Sequence, residues 1–328
     1  MAEMTYREAL NQALKEEMRK DQRIIVLGEE VAFYQGAYKV TQGLLAEFGY
    51  ERVKDTPISE EIIIGAAIGA AMGGLRPIAE MMTVNFSLLA MDQIVNNAAK
   101  IHYMFGGQAK VPVVIRAAQG AGKQLGAQHS QHLEAYFMHC PGLRVVLPAT
   151  PADAKGLLKA AVRDDNPVIF LEDQGLYTTK GDVPSGDYII PLGKANIIKA
   201  GEDITVISYS KMILDCIEAA KELENYNINA EIIDLRCLNP LDKETIFESV
   251  KKTGLAIVVN EAWRTGSAAA EISCLIMENC FDYLDAPIER ISAMDIPMPY
   301  NKELEQAALP HKKNIVDAAL KLLQVNKS

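Results

Sequence analysis

Hydrophobic and polar positions along the chain alternate between a helical period and short aliphatic runs. Tyr6, Ala9, Leu10, Ala13, Leu14 and Met18 recur at helical spacing behind Thr5-Tyr-Arg-Glu8. That tetrapeptide is a capping box: the threonine accepts from an exposed first-turn amide and Glu8 reaches back. A helix therefore opens the fold. The aliphatic run at 24–28 predicts a short strand ending at Gly28, Glu29 and Glu30, and a strand end that carries acids is a place to look for chemistry. Residues 59–75 predict a serine-capped helix whose glycines and alanines let backbones approach closely, expected to lie buried between layers. Strand 76–82, a helix over 87–104, strands 111–117 and 143–149, helix 151–163 and strand 167–172 follow. Strands alternating with helices indicate a parallel sheet covered on both faces.

Between 174 and 202 the pattern breaks, with Pro184, Ser185, Gly186, Pro191 and Gly201 among polar residues and turns. A second series then begins. Strand 204–210, a helix to about 225, strand 230–235, helix 242–252, strand 255–261, helix 267–279, strand 287–292 and a last helix at 315–324 predict an open sheet of four strands. The fold class is α/β, with two open, mainly parallel sheets flanked by helices and a division into domains 1–188 and 189–328.

The 328 residues are enough for two such domains, and 49% hydrophobic against 23% charged residues is ordinary for a globular chain. Lys and Arg number 33 against 43 Asp and Glu, a formal charge of -10, and no basic block offsets it. A polyanion is repelled on average, so nucleic acid is not an expected partner. The most apolar run, 62–75, falls short of the roughly 20 residues that a membrane span needs. The amino-terminal segment lacks an apolar signal core, and a cytoplasmic chain is expected, although a mature organellar protein would look the same. Five cysteines, Cys140, Cys216, Cys237, Cys274 and Cys280, show no metal-like spacing and read as reduced thiols, several in apolar stretches.

Among motifs with chemistry, Ala-Gly-Lys-Gln at 121–124 lacks the first glycine and the hydroxyl residue of a nucleotide P-loop, and Gly120, Gly122 and Gly126 lack the dinucleotide fingerprint. His129, His132, His139 and Cys140 fit no strong zinc template. What remains is an ordered set: TPISEE (56–61), RPIAEMM with Glu80, NFS (85–87), GAQHSQ (126–131), HCPGLRVVLPATPADAKGLL (139–158) and EIIDLRCLNPLD (231–242). No single tetrapeptide is diagnostic, but in this order the set resembles the beta subunit of the thiamine-diphosphate-dependent first component of 2-oxo acid dehydrogenase complexes. NNAAKIHY, GKQLGAQHSQ and DIPMPYNKELE are most similar to bacterial and plastid-type pyruvate enzymes. YMFGG (103–107) is similar to acetoin dehydrogenases, and Leu89 departs from a glutamine of animal-type members, whereas the short loop at 29–40 lacks the insertion of acetoin enzymes.

The resemblance implies a pyrimidine-binding domain followed by a transketolase C-terminal-like domain, and it implies roles. Glu60 would hydrogen-bond the pyrimidine nitrogen of thiamine diphosphate and favour the imino tautomer that activates the cofactor. Most Ser-Glu-Glu sequences are only helix starts stabilised by the macrodipole. His129 would stand near the substrate or the acyl-transfer route, where an imidazole titrating near neutrality serves a developing oxyanion or a lipoyl thiol. Phe86 would contact the pyrimidine, and Glu29 with Glu80 would belong to an acidic path between paired cofactor sites. Backbone oxygens of Val113, Ala161, Val162, Asp164 and Asn166 would hold a structural potassium ion.

The chain has no Gly-Asp-Gly segment, the usual holder of magnesium and diphosphate in thiamine enzymes. The resemblance therefore implies an alpha subunit that binds Mg2+, an α2β2 heterotetramer with cofactor shared between chains, and a lipoyl-bearing acyltransferase core as acceptor. Pyruvate is the expected substrate. The alternatives are an acetoin or branched-chain 2-oxo acid dehydrogenase beta subunit and a non-catalytic scaffold.

Overall fold

Thr5 Oγ1 accepts from the Glu8 amide at 3.2 Å while the Glu8 carboxylate accepts from the Thr5 amide at 2.7 Å, so the capping box starts helix Tyr6–Lys20 as the sequence requires. The computed structural model describes residues 1–324. By internal packing the chain forms two units: Met1–Gly120 with Tyr136–Leu192, and Ala121–Ala135 with the chain from Gly193 onward.

In the first unit, six strands run parallel in the order Arg144–Val146, Val168–Asp173, Val114–Gln119, Arg76–Met81, Ile24–Gly28, Val53–Asp55. Every residue of Val114–Gln119 and Val168–Asp173 is buried, as expected of central strands covered on both faces. Gly28 lies in register with Glu80, and a Cβ at Gly28 would fall 2.4 Å from the Glu80 carbonyl oxygen. Glycine is required there for the two strands to approach. A short antiparallel ribbon of Ala2–Thr5 and Lys180–Val183, absent from the sequence reading, ties the two ends of the unit together.

Helix Tyr6–Lys20 lays its apolar stripe against helix Pro151–Arg163, which Thr150 caps by accepting from the Asp153 amide at 3.1 Å. This seam also takes in cations. Lys155 and Lys159 are buried; both reach Glu16, at 2.7 and 2.6 Å, and Lys159 also meets Asp187 at 2.6 Å. Lys159, then Lys20 and Arg163, hold the Asp187 carboxyl well below the usual carboxylate range.

Two expectations need correction. Helix Glu60–Met72 is not buried on all sides within the chain: Ile63, Ile64, Ala67, Ile68 and Ala71 face inward, whereas Ile62, Ala66, Gly69 and Met72 form an exposed apolar face. Ser59 sits at its N-cap without a side-chain capping bond. The single helix expected over 87–104 is instead a 3₁₀ stretch Val84–Ala90, a π-helical stretch Gln93–Ala98 and an α-helix Ala99–Met104.

The second unit has a five-stranded sheet in the order Glu289–Ala293, Ala256–Trp263, Ile204–Ser208, Ala230–Asp234, Asn196–Lys199. Four strands are parallel as anticipated; the fifth, Asn196–Lys199, pairs antiparallel to Ala230–Asp234 at the edge. It lies in the glycine- and proline-punctuated stretch whose pattern reads as turns. Ile204, Val206, Ile232, Ile257 and Val259 build the core with Leu223, Ile315 and Leu320 from the helices. Helix Lys302–Ala308, too short to show periodicity, was not anticipated either. All five cysteines are free thiols and four are buried, in agreement with their reading as reduced residues.

Candidate active site

The carboxyl edge of the first sheet gathers acids, as open parallel sheets do at their functional edge. Glu29 directly follows strand Ile24–Gly28, and Glu60 begins helix Glu60–Met72 after strand Val53–Asp55. Both are buried, at 7% and 5% exposure. Burial raises the Glu29 carboxyl above its ordinary range, and the Glu60 charge raises it further, so the two acids share one field. Glu29 Oε1 has no donor among the described residues, and Glu60 has no hydrogen-bond or ion-pair partner there. A buried carboxylate oxygen without a donor, as Glu29 Oε1 is among the described residues, is costly unless a ligand brings one.

Glu80 has a different environment. Arg116, in register with it on the next strand, donates to Glu80 at 2.6 Å and to both oxygens of Glu172 at 2.7 and 2.8 Å. The Tyr177 hydroxyl donates to Glu172 at 2.8 Å, and the Tyr177 ring stacks on Tyr38 at 4.9 Å. Burial raises the Glu80 carboxyl even though Arg116 opposes it, while its two acids hold the guanidinium above its ordinary range. The Tyr38 hydroxyl is raised by burial and then by the Glu80 charge. Glu80 is thus ion-paired inside a network where Glu29 is not.

Phe86 is half-buried in the turn Val84–Ala90. Thr83 begins that turn by accepting from the Asn85 amide at 3.3 Å, and the Ser87 hydroxyl closes it on the Val84 carbonyl at 2.6 Å. The oxygens expected to hold potassium lie around the end of helix Pro151–Arg163. Val162 O accepts from Arg76 Nε at 2.8 Å, Asp164 O also accepts from the Arg76 guanidinium, Ala161 O from the Asp164 amide at 3.2 Å and Val113 O from the Val168 amide at 2.9 Å. Each retains a second lone pair and can accept once more.

His129 is carried by Ala121–Ala135, which belongs to the second unit. It is exposed, and its amide donates to the Gly126 carbonyl at 3.2 Å. Around it the segment is anchored: the Ala121 amide donates to Glu261 at 3.0 Å, His132 lies 3.2 Å from Glu261, and the Tyr209 hydroxyl donates to Glu134 at 2.8 Å. Burial pushes the Glu261 carboxyl up, but Lys211 and then His132 outweigh it and hold the group well below its ordinary range.

Comparison with known proteins decides the family. Residues 2–180 match the transketolase pyrimidine-binding domain and 193–315 the transketolase C-terminal domain. The pyruvate dehydrogenase E1 component subunit beta of Rickettsia felis is 51% identical over 320 residues, covering 98% of each chain. That of Rhizobium meliloti is 54% identical over 97% of this chain and 69% of its own, and the mitochondrial one of Dictyostelium discoideum 48% identical over 99% and 92%. The chain belongs to the pyruvate dehydrogenase E1 beta-subunit family. A split-gene transketolase described as an inactive beta4 tetramer shares the fold, with a TM-score of 0.80 at 24% identity over 99% of both chains.

Within the framework of an E1 beta subunit, the sequence pairs Glu29 with Glu80 and gives Glu60 a separate role, whereas in the structure the Glu60 charge acts on Glu29 and Glu80 is bound by Arg116. Sequence reasoning missed Arg116, Glu172 and Tyr177. Their signal was present: an arginine inside VPVVIRAAQ and an acid inside VIFLED are charges in otherwise apolar strands, and such charges need partners when buried. Glu261 and Glu305 were also missed, although DIPMPYNKELE was one of the stretches carrying the resemblance to the family.

Proposed function

We propose that the chain activates thiamine diphosphate for the oxidative decarboxylation of pyruvate and for reductive acylation of the lipoyl group on an acyltransferase core. The observation that carries this reading is the acid pair at the sheet edge: Glu60, buried at a helix start, acts by its charge on Glu29, whose Oε1 is buried without a donor among the described residues. That pair of acids suits the aminopyrimidine half of the cofactor. When bound, thiamine diphosphate supplies the electron sink. Glu60 would present its carboxyl to the pyrimidine nitrogen, Phe86 would pack the ring, Glu29 would supply a second acid, raised by burial and then by the Glu60 charge, and His129 would serve the acyl-transfer step.

The diphosphate half of the site is assigned to an alpha subunit that carries Mg2+, in an α2β2 assembly. Two features support this: the missing Gly-Asp-Gly, and the exposed face of Ile62, Ala66, Gly69 and Met72 on the helix that begins with Glu60. An apolar face on a glycine- and alanine-rich helix suits a close-packed partner helix. We place the domain division at 1–188 and 189–328, with the segment Ala121–Ala135 of the first packing into the second unit. No described helix is long and apolar enough to cross a membrane, and a cytoplasmic location is part of the proposal.

Co-expression with an alpha chain should yield decarboxylation of pyruvate in preference to acetoin and 3-methyl-2-oxobutanoate; a preference for either of the latter reassigns the substrate. Alone, the chain should not bind thiamine diphosphate tightly, because magnesium prefers carboxylate and phosphate oxygens that this half-site does not combine. Micromolar binding to the isolated chain in calorimetry refutes the divided site. We also assign a structural K+ to the backbone oxygens of Val113, Ala161, Val162, Asp164 and Asn166. Thermal unfolding should then shift upward in KCl relative to choline chloride at equal ionic strength, and identical curves remove the ion from the proposal.

A further inference from the structure

The loop leading to His129 is held by a buried carboxylate. Glu305 is fully buried on helix Lys302–Ala308. Its Oε1 accepts from the Gly122 amide at 2.9 Å and the Gln124 amide at 3.2 Å; its Oε2 accepts from the Gln124 amide at 3.2 Å and from Gln124 Nε2 at 2.9 Å. Among the described residues, every donor to this side chain comes from that one loop. Burying a carboxylate is costly unless donors match it, and an apolar residue would fill the same volume without that cost. The arrangement therefore makes sense as a means of ordering the loop.

The loop needs such a hold. Gly122 has φ +92°, Gln124 +53° and Gly126 +77°, and a left-handed conformation is unfavourable for a residue like glutamine. Three residues past Gly126 comes His129, whose amide returns to the Gly126 carbonyl. Glu261 holds Ala121, just before Gly122, and His132, on the far side of His129. His129 thus sits on a short span fixed at both ends, and Glu305 provides the end nearest the strained backbone. The short helix that carries the carboxylate is started by Asn301, whose Oδ1 accepts from the Glu303 and Leu304 amides at 2.9 and 3.1 Å.

We propose that Glu305 is a positioning residue for acyl transfer, which it serves by fixing the main chain of the loop that presents His129. This inference rests on the assignment of His129 to the transfer step. The test uses Glu305→Gln in the assembled enzyme, with Glu303→Gln, an exposed acid on the same helix, as the control. Glutamine keeps the shape but places an NH2 against donors. Amide exchange at Gly122 and Gln124 should quicken about 10- to 100-fold, the scale of losing charge-assisted hydrogen bonds, and exchange in strand Ile204–Ser208 should not change.

Single-turnover transfer to a lipoyl domain should slow by about tenfold, a loss of the same order as those bonds represent. The Glu305→Gln, His129→Gln double variant should transfer no more slowly than His129→Gln alone, because residues acting through one another are not additive. Unchanged loop exchange overturns the clamp. Faster exchange with wild-type transfer, or additive losses, overturns the positioning role while leaving the His129 assignment intact. Full transfer activity in His129→Gln overturns that assignment and the inference with it.

Discussion

Glu60→Gln in the assembled enzyme is expected to lower decarboxylation by roughly 10²-fold or more, the usual scale of general acid–base assistance. The amide keeps the size of the carboxyl and part of its hydrogen bonding, but it cannot present an acid to the pyrimidine nitrogen. Cofactor affinity, measured by calorimetry, should change far less, because magnesium and diphosphate are assigned to the other chain. The same substitution should be felt at Glu29. Its carboxyl is raised first by burial and then by the Glu60 charge, so removing that charge moves it back toward its ordinary value. Kinetics near wild type would mean that Glu60 is only a helix-end charge stabilised by the macrodipole, and that the active site lies elsewhere.

Arg116→Met is expected to destabilise the chain by roughly 3–5 kcal/mol in urea unfolding, the scale for breaking a buried ion-pair network from one side. The substitution leaves Glu80 and Glu172 in the core without their cation. The pH dependence carries a definite sign. The folded pKa of Glu80 is already raised above its unfolded value by burial, so its contribution is fully present below the unfolded pKa and is lost as pH rises through the folded one. Without Arg116 the folded value rises further. The deficit of the variant should be largest at neutral pH and shrink on acidification, as the orphaned acids take up protons. A deficit under about 1 kcal/mol that does not vary with pH would show that these acids are solvated, as surface pairs are.

What the amino-acid sequence by itself determined are the properties that act within one element. The Thr5–Glu8 box and the stripe from Tyr6 to Met18 prescribe the first helix because capping and periodicity are local. The aliphatic runs prescribe the strands, and alternation of strand and helix prescribes parallel sheets. Glu60 was legible through the order of the family's motifs, since an acid after serine is by itself an ordinary helix start. Only the tertiary structure decided which charges go inside. Lys155 and Lys159 look like the solvated face of an amphipathic helix until Glu16 and Asp187 converge on them. Arg116 meets Glu80 from 36 residues away, and Gly122 meets Glu305 from 183. Such pairings have no local period. A buried charge is tolerable only where distant donors and acceptors arrive together, and that depends on how the layers pack.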